Sequence, residues 1–257
     1  MAALRKKSFL GFIVLYSLSY FLLAGIFTAW LFLTAPDVKV WQKKSPALTA
    51  MMKYELRSEG KKISPRQIRY NWLSIKNIPD LMRKSVIVSE DASFWIHEGI
   101  DWHEVEESFK KNLSRGKFLR GGSTITQQLA KNLYLSPTKS IRRKLREWII
   151  AKKLEKDLTK TRILELYLNV IQWGKDIYGI KAASAYYFGK TPENLSLNEM
   201  IRLAAVLPNP VRMHPNRVNH SVFWRSNVIL RRLWRFGFIS ESEYEQNSAV
   251  LDSLYSN

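Results

Sequence analysis

The chain has 257 residues, enough for one membrane anchor and one catalytic-sized domain. Its 41 Lys and Arg against 22 Asp and Glu give a formal net charge of +19, which favours phosphate-bearing partners: nucleic acid, anionic headgroups or a pyrophosphate. The absence of cysteine excludes disulfides and cysteine-bound zinc but does not discriminate between compartments.

Ser8 to Ala35 holds no Lys, Arg, Asp or Glu over 28 residues, against the ~20 apolar residues that span a bilayer. Arg5, Lys6 and Lys7 stand before it. They predict a cytoplasmic N-terminus over 1–7, a single-pass helix over 8–35 and an extracytoplasmic remainder. The run is too long for a cleaved signal peptide, and no A-x-A site follows. That location makes nucleic acid the poorest of the three partners. Residues 36–80 read as a membrane-proximal region, with prolines at 36, 46, 65 and 79. Residues 81–257 read as a mainly α domain, without an alternating strand pattern, repeat or low-complexity tract.

Within that domain Val86–Ser89 leads into Glu90-Asp91, followed by Phe94, His97, Gly99 and Asp101. An acidic pair ending a buried segment suits one carboxylate to proton abstraction; solvated acids at a helix C-terminus are the bland alternative. His97-Glu98 and His103-Glu104 do not make H-E-x-x-H, so a zincin site is rejected. Along Phe109–Leu119, Lys110, Lys111, Arg115 and Lys117 alternate with Phe109, Leu113, Phe118 and Leu119, as in a lip touching anionic headgroups or in a solvated loop.

Arg120-Gly121-Gly122-Ser123-Thr124 then caps a short helix. Thr124, Gln127, Gln128 and Lys131 fall at i, i+3, i+4 and i+7 and are expected to share one polar face, with Ile125, Leu129 and Leu133 toward the core. Such a face suits a hydroxylated, anionic ligand, and an ordinary surface helix carries the same spacing. Ser136-Pro137-Thr138-Lys139 fits S-x-x-K, but no K-T-G follows and the match is treated as chance.

Lys139, Arg142, Arg143, Lys144 and Arg146 put five cations in eight residues, with Glu147 at i+4 from Arg143. This is a solvated basic helix or a pyrophosphate cradle. Ile141, Leu145, Trp148 and Ile149 are expected as its apolar stripe, and Ile163, Leu164, Tyr167 and Leu168 as that of the next helix. Glu165 and Asn169 share a face there, for packing support or ligand contact. Ser196 with Glu199 predicts a capping box before Met200–Leu207, ended by Pro208 and Pro210. Val222–Phe236 is amphipathic and stops at Gly237; Ser240 with Glu243 signals a last short helix.

Together these runs resemble the peptidoglycan glycosyltransferases, which polymerise lipid II into glycan strands. Over residues 80–215 five motifs occur in the family's order. They are Glu90-Asp91-x-x-Phe94-x-x-His97-x-Gly99; Gly121-Gly122-Ser123-Thr124-Ile125-Thr126-Gln127-Gln128 with Lys131-Asn132; Arg143-Lys144-x-x-Glu147; Lys160-x-x-Ile163-Leu164-Glu165-x-Tyr167-Leu168-Asn169; and Ala182-Ala183 through Tyr187-Phe188-Gly189-Lys190 with Leu207-Pro208-Asn209-Pro210. One anchor, one such domain and no transpeptidase resemble the monofunctional members.

The resemblance implies a lysozyme-like, mostly helical fold with its cleft near the membrane. It makes Glu90 the general base and Glu147 the organiser of the pyrophosphate site, through Mg²⁺ or Mn²⁺, with no organic cofactor. Lys131, Arg143 and Lys144 would meet the pyrophosphate; Asp91, Ser123, Thr124, Gln127 and Gln128 would also bind substrate. The implied partners are lipid II, the lipid-linked glycan, the bacterial inner membrane with the domain in the periplasm, and cell-wall synthesis proteins. Two rival readings are a membrane-anchored lysozyme-like glycan hydrolase and a non-catalytic adaptor for anionic lipid.

Overall fold

The computed structural model describes residues 2–58, 60, 69–115, 122–217 and 219–255. Helix α1 (Ala2–Leu33) contains a 19-residue stretch, Leu15–Leu33, of mean hydropathy 1.6, long and apolar enough to cross a membrane. Its side chains from Leu15 to Trp30 are exposed. The helix stops at Leu33, two residues before the expected end.

A 3-10 turn (Lys39–Gln42) and α2 (Ala50–Ser58) follow. The domain then runs through α3 (Asp80–Glu90), α4 (Trp102–Arg115), α5 (Ile125–Tyr134), α6 (Ile141–Asp157) and α7 (Lys160–Val170). It continues through α8 (Ile180–Phe188), α9 (Leu197–Val206), α10 (His220–Arg235) and α11 (Glu241–Tyr255). Three strands unforeseen in the sequence, β1 (Arg69–Tyr70), β2 (Gln172–Gly174) and β3 (Ile177–Tyr178), form a small sheet in the order β1-β3-β2. β1 runs parallel to β3, and β2 antiparallel to it. Two or three residues cannot show an alternating pattern, so the strands leave no sequence signal.

Helix α7 is the hub. Ile163, Leu164, Leu166, Tyr167, Leu168, Asn169 and Val170 are all buried, and α5, α6 and α8 pack around it. The Asn169 amide accepts from Leu73 N at 2.7 Å and donates to Leu73 O at 2.8 Å, while Glu165 accepts from Ile75 N at 3.0 Å. These two residues therefore give packing support. Met52, Leu56, Leu73 and Ile78 share the core with the helices, so the membrane-proximal stretch is part of the domain's packing rather than a separate lead-in. Gly179, at φ +80°, is forced: a Cβ there would lie 2.5 Å from Asn169 O.

Two local expectations are corrected. The inward face of α6 is Glu147, Ile150, Ala151 and Leu154, whereas Ile141 is 82% exposed. The reason is that α6 is held from two sides, by α5 and by the end of α1. Arg142 stacks over Trp30 at 4.9 Å, and Arg146 and Lys153 each donate at 3.2 Å, to Thr34 O and Ala35 O. The last helix is also longer than its cap signal suggested, because Leu251 seals α11 against the core. The Ser196–Glu199 capping box forms as expected.

Candidate active site

A cavity of about 590 Å³ opens where the C-terminal end of α3 meets the N-terminal end of α5. Glu90 stands at its wall with its side chain 9% exposed. One carboxylate oxygen accepts from Gln128 Nε2 at 3.0 Å; the other accepts from Arg225 Nη2 at 3.3 Å and Ser89 Oγ at 3.2 Å. Arg225, on α10, is itself anchored through Nε to Ala205 O at 3.0 Å. Arg232, one heptad further along α10, lines the same cavity and donates to Val88 O. Asp101, His103 and Glu104, around the start of α4, also line it.

Asp91 also lines the cavity, but its oxygens are committed elsewhere. It accepts from Ile125 N at 2.8 Å and from His97 Nε2 at 3.0 Å, with its side chain 2% exposed. Gly99 N donates to His97 Nδ1 at 3.0 Å, which leaves Nε2 as the proton-bearing nitrogen. Asp91 thus ties the end of α3 to the first amide of α5, where a negative charge is favourable. Its geometry is that of a brace set in the cavity wall.

The polar face expected on α5 divides in two. Thr124 is the N-cap and Gln127 its capping-box partner. Thr124 Oγ1 accepts from Gln127 N at 3.2 Å and donates to Gly99 O at 2.6 Å. Gln127 is fully buried. Residues at Ncap and N3 turn back on the helix end to satisfy its amides; Thr124 still lines the cavity, whereas Gln127 does not. Gln128 reaches Glu90, and Lys131, one turn on, joins a cationic group.

That group is built by α6. Arg143 Nη1 lies 2.6 Å from Glu147 Oε2, Lys144 pairs with Glu147 Oε1, and Lys144 also donates to Ser123 Oγ at 2.9 Å. Ser123 lines the cavity and so links it to the cations. The other cations of the run, Arg142 and Arg146, turn to α1. The Lys131 ammonium makes no hydrogen bond or ion pair among the described residues. Burial holds it below the ordinary lysine value; Glu147 opposes that shift, and Arg143 and Lys144 add to it. An ammonium desolvated beside two other cations is suited to receive an anion.

The donor set does not fit a divalent cation held by Glu147. Both its oxygens are taken by Arg143 and Lys144, and no three His, Cys, Asp or Glu gather as metal ligands among the described residues. In the proposed lip, Phe109 and Leu113 are exposed, while Lys110 and Lys111 pair with Glu106 and Glu107. Lys117, Phe118 and Leu119, like Gly121, lie outside the described residues. Arg225, Arg232 and the Tyr167 hydroxyl were missed in the sequence. The seven-residue spacing of the two arginines on an amphipathic segment was the available signal for one shared face.

The transglycosylase family model matches residues 58–234, an interval that holds all five motifs and both arginines. The biosynthetic peptidoglycan transglycosylase of Herminiimonas arsenicoxydans is 40% identical over 193 residues, 75% of this chain and 84% of that protein. The protein of the same name from Dechloromonas aromatica (strain RCB) is 37% identical over 211 residues, 82% of this chain and 91% of its own. Penicillin-binding protein 1A of Haemophilus influenzae aligns over 70% of this chain and 18% of its own, at 21% identity and a TM-score of 0.40. On the family match and these two relatives, the chain belongs to the transglycosylase family.

Proposed function

We propose that this chain is a peptidoglycan glycan-strand polymerase, transferring a lipid-linked glycan onto lipid II at the outer face of the bacterial inner membrane. The observation that carries this reading is a carboxylate at a cleft, Glu90, joined through α5 and Ser123 to a cationic group around Lys131. Glu90 takes the proton from the 4-hydroxyl of the acceptor GlcNAc as that oxygen attacks C1 of the donor MurNAc. The C1–O bond to pyrophosphate breaks, its electron pair leaves with undecaprenyl pyrophosphate, and the α-linked donor becomes a β-1,4 linkage by inversion.

Pyrophosphate is already a good leaving group, so no carboxylic acid has to protonate it, in contrast to glycoside hydrolysis. What it needs is positive charge where the anion develops. Lys131, Arg143 and Lys144 supply that charge, with Glu147 as the counter-ion that fixes the last two. Ser123 and Gln128 contact the sugars and phosphates; Thr124 and Asp91 shape the cavity wall, and Gln127 supports it from behind. A glycan hydrolase would have no use for the cationic group. The apolar helix α1 supports a single-pass anchor, and Arg5 to Lys7 support a cytoplasmic N-terminus.

The test is polymerisation of labelled lipid II by the detergent-solubilised full chain, with Glu90→Gln alongside. General-base loss predicts a fall of ~10²–10⁴-fold in the variant, with lysozyme-sensitive polymer from the wild type. Cleavage of purified glycan strands by a wild type that makes no polymer would overturn the reading in favour of a hydrolase.

A further inference from the structure

Gln128 donates through Nε2 to Glu90 Oε2 at 3.0 Å and accepts through Oε1 from the Tyr167 hydroxyl, also at 3.0 Å. The two contacts differ in what they can tolerate. An ionised carboxylate offers only acceptors, so it requires the NH₂ side of the amide. A flipped amide would set oxygen against oxygen unless Glu90 carried a proton. Tyr167 decides which orientation is cheaper. It is fully buried on α7, and burial, with Glu90 and Asp91 adding to it, keeps its phenol proton bound well above the ordinary tyrosine range. Its single hydroxyl proton goes to Gln128, its one hydrogen-bond partner among the described residues. Flipping the amide would strand that proton in the core.

We propose that Tyr167 is a positioning residue for the reaction, locking the Gln128 amide with its NH₂ toward Glu90 and so holding Glu90 as a carboxylate between turnovers. The proposal rests on Glu90 being the base. When Glu90 accepts a proton, the locked amide keeps only a neutral carbonyl acceptor and its hydrogen bond weakens, which favours release of the proton and resets the site. The other groups facing Glu90 do not depend on this lock. They are Arg225 and Arg232 from α10, Asp91 beside it, and Asp101, His103 and Glu104 in the lining of the same cavity.

Tyr167→Phe keeps the ring and removes the lock. The pH profile of kcat for lipid II polymerisation is expected to move its acidic limb upward by roughly half a unit to one unit, because one orienting hydrogen bond is lost. Gln128→Met is expected to move the same limb by at least as much, and adding Tyr167→Phe to it should give no further shift. A Tyr167→Phe profile with an unmoved limb, or shifts that add in the double variant, would overturn the proposal while leaving Glu90 as base. Circular dichroism of each variant separates misfolding from a true profile change. A wild type without Glu90-dependent polymer would remove the functional reading itself.

Discussion

Glu90 and Glu147 are the same residue type, both nearly buried, with side chains 9% and 4% exposed, yet their surroundings give them opposite uses. Glu90 faces a cavity, and two of its three donors, Gln128 and Ser89, are neutral. Glu147 is not in the cavity wall, and both its oxygens are held by a guanidinium and an ammonium. A carboxylate with one oxygen held only by a neutral amide, and with open space before it, can exchange a proton with a substrate hydroxyl. One clamped between two cations fixes the positions of its partners. Burial alone therefore does not identify a base; the identity of the donors does.

The largest expected effect breaks the symmetry directly. Glu90→Gln should remove polymerisation at a smaller stability cost than the change at Glu147, since it unpairs one cation, Arg225, rather than two, and an amide can still meet Gln128 and Ser89. Glu147→Gln should show the reverse weighting. Removing one member of a buried ion pair costs about 3–5 kcal/mol when both partners are desolvated. Here Arg143 and Lys144 are 18% and 34% exposed, so screening reduces that to ~1–3 kcal/mol. Denaturant unfolding should detect the loss, alongside weaker lipid II binding as the cations loosen. An unchanged unfolding curve would mean that Glu147 does not organise the cations.

Lys131 sharpens the contrast, because it is the cation without a paired carboxylate. Its lowered value means that the folded chain binds its proton less tightly than the unfolded chain does. The resulting stability cost is present while the ammonium is charged and is relieved as pH rises from the folded value toward the ordinary 10.5. Lys131→Met should therefore raise the melting temperature at neutral pH by a few degrees and flatten its rise with alkaline pH, while polymerisation falls. A melting temperature that dropped instead would show that Lys131 has a stabilising partner in the folded chain.

Much of this was legible in the sequence. The buried faces of α7 and α9 follow from their spacing, the Ser196 and Thr124 caps from residue type, and Glu90, Lys131, Arg143 and Glu147 from short runs. What escaped depended on long-range contact or on helix ends. Arg225 reaches Glu90 across 135 positions, and no local pattern carries that. Thr124 and Gln127 have the spacing of a ligand face, but an N-cap and its third residue fold back on their own backbone. The stripe expected on α6 failed because α1 and α5 share that helix, and the inward position went to a charged residue whose counter-ions lie on its own helix.

The smallest effect tests where the stability of the cationic group comes from. Ser140 caps α6 by accepting from Arg143 N at 3.1 Å, three residues before the first of the ion-paired cations. Ser140→Ala should cost ~1 kcal/mol, as loss of an exposed N-cap does, visible as a small drop in the denaturation midpoint. Polymerisation at a temperature well below that midpoint should be unchanged, because Arg143 and Lys144 remain held by Glu147, and α6 remains held by the carbonyls at the end of α1. A fall in kcat beyond the stability loss would instead assign the placing of the cations to the fraying first turn of α6. In that case Glu147→Gln and Ser140→Ala should be coupled, and a double-mutant cycle would show it.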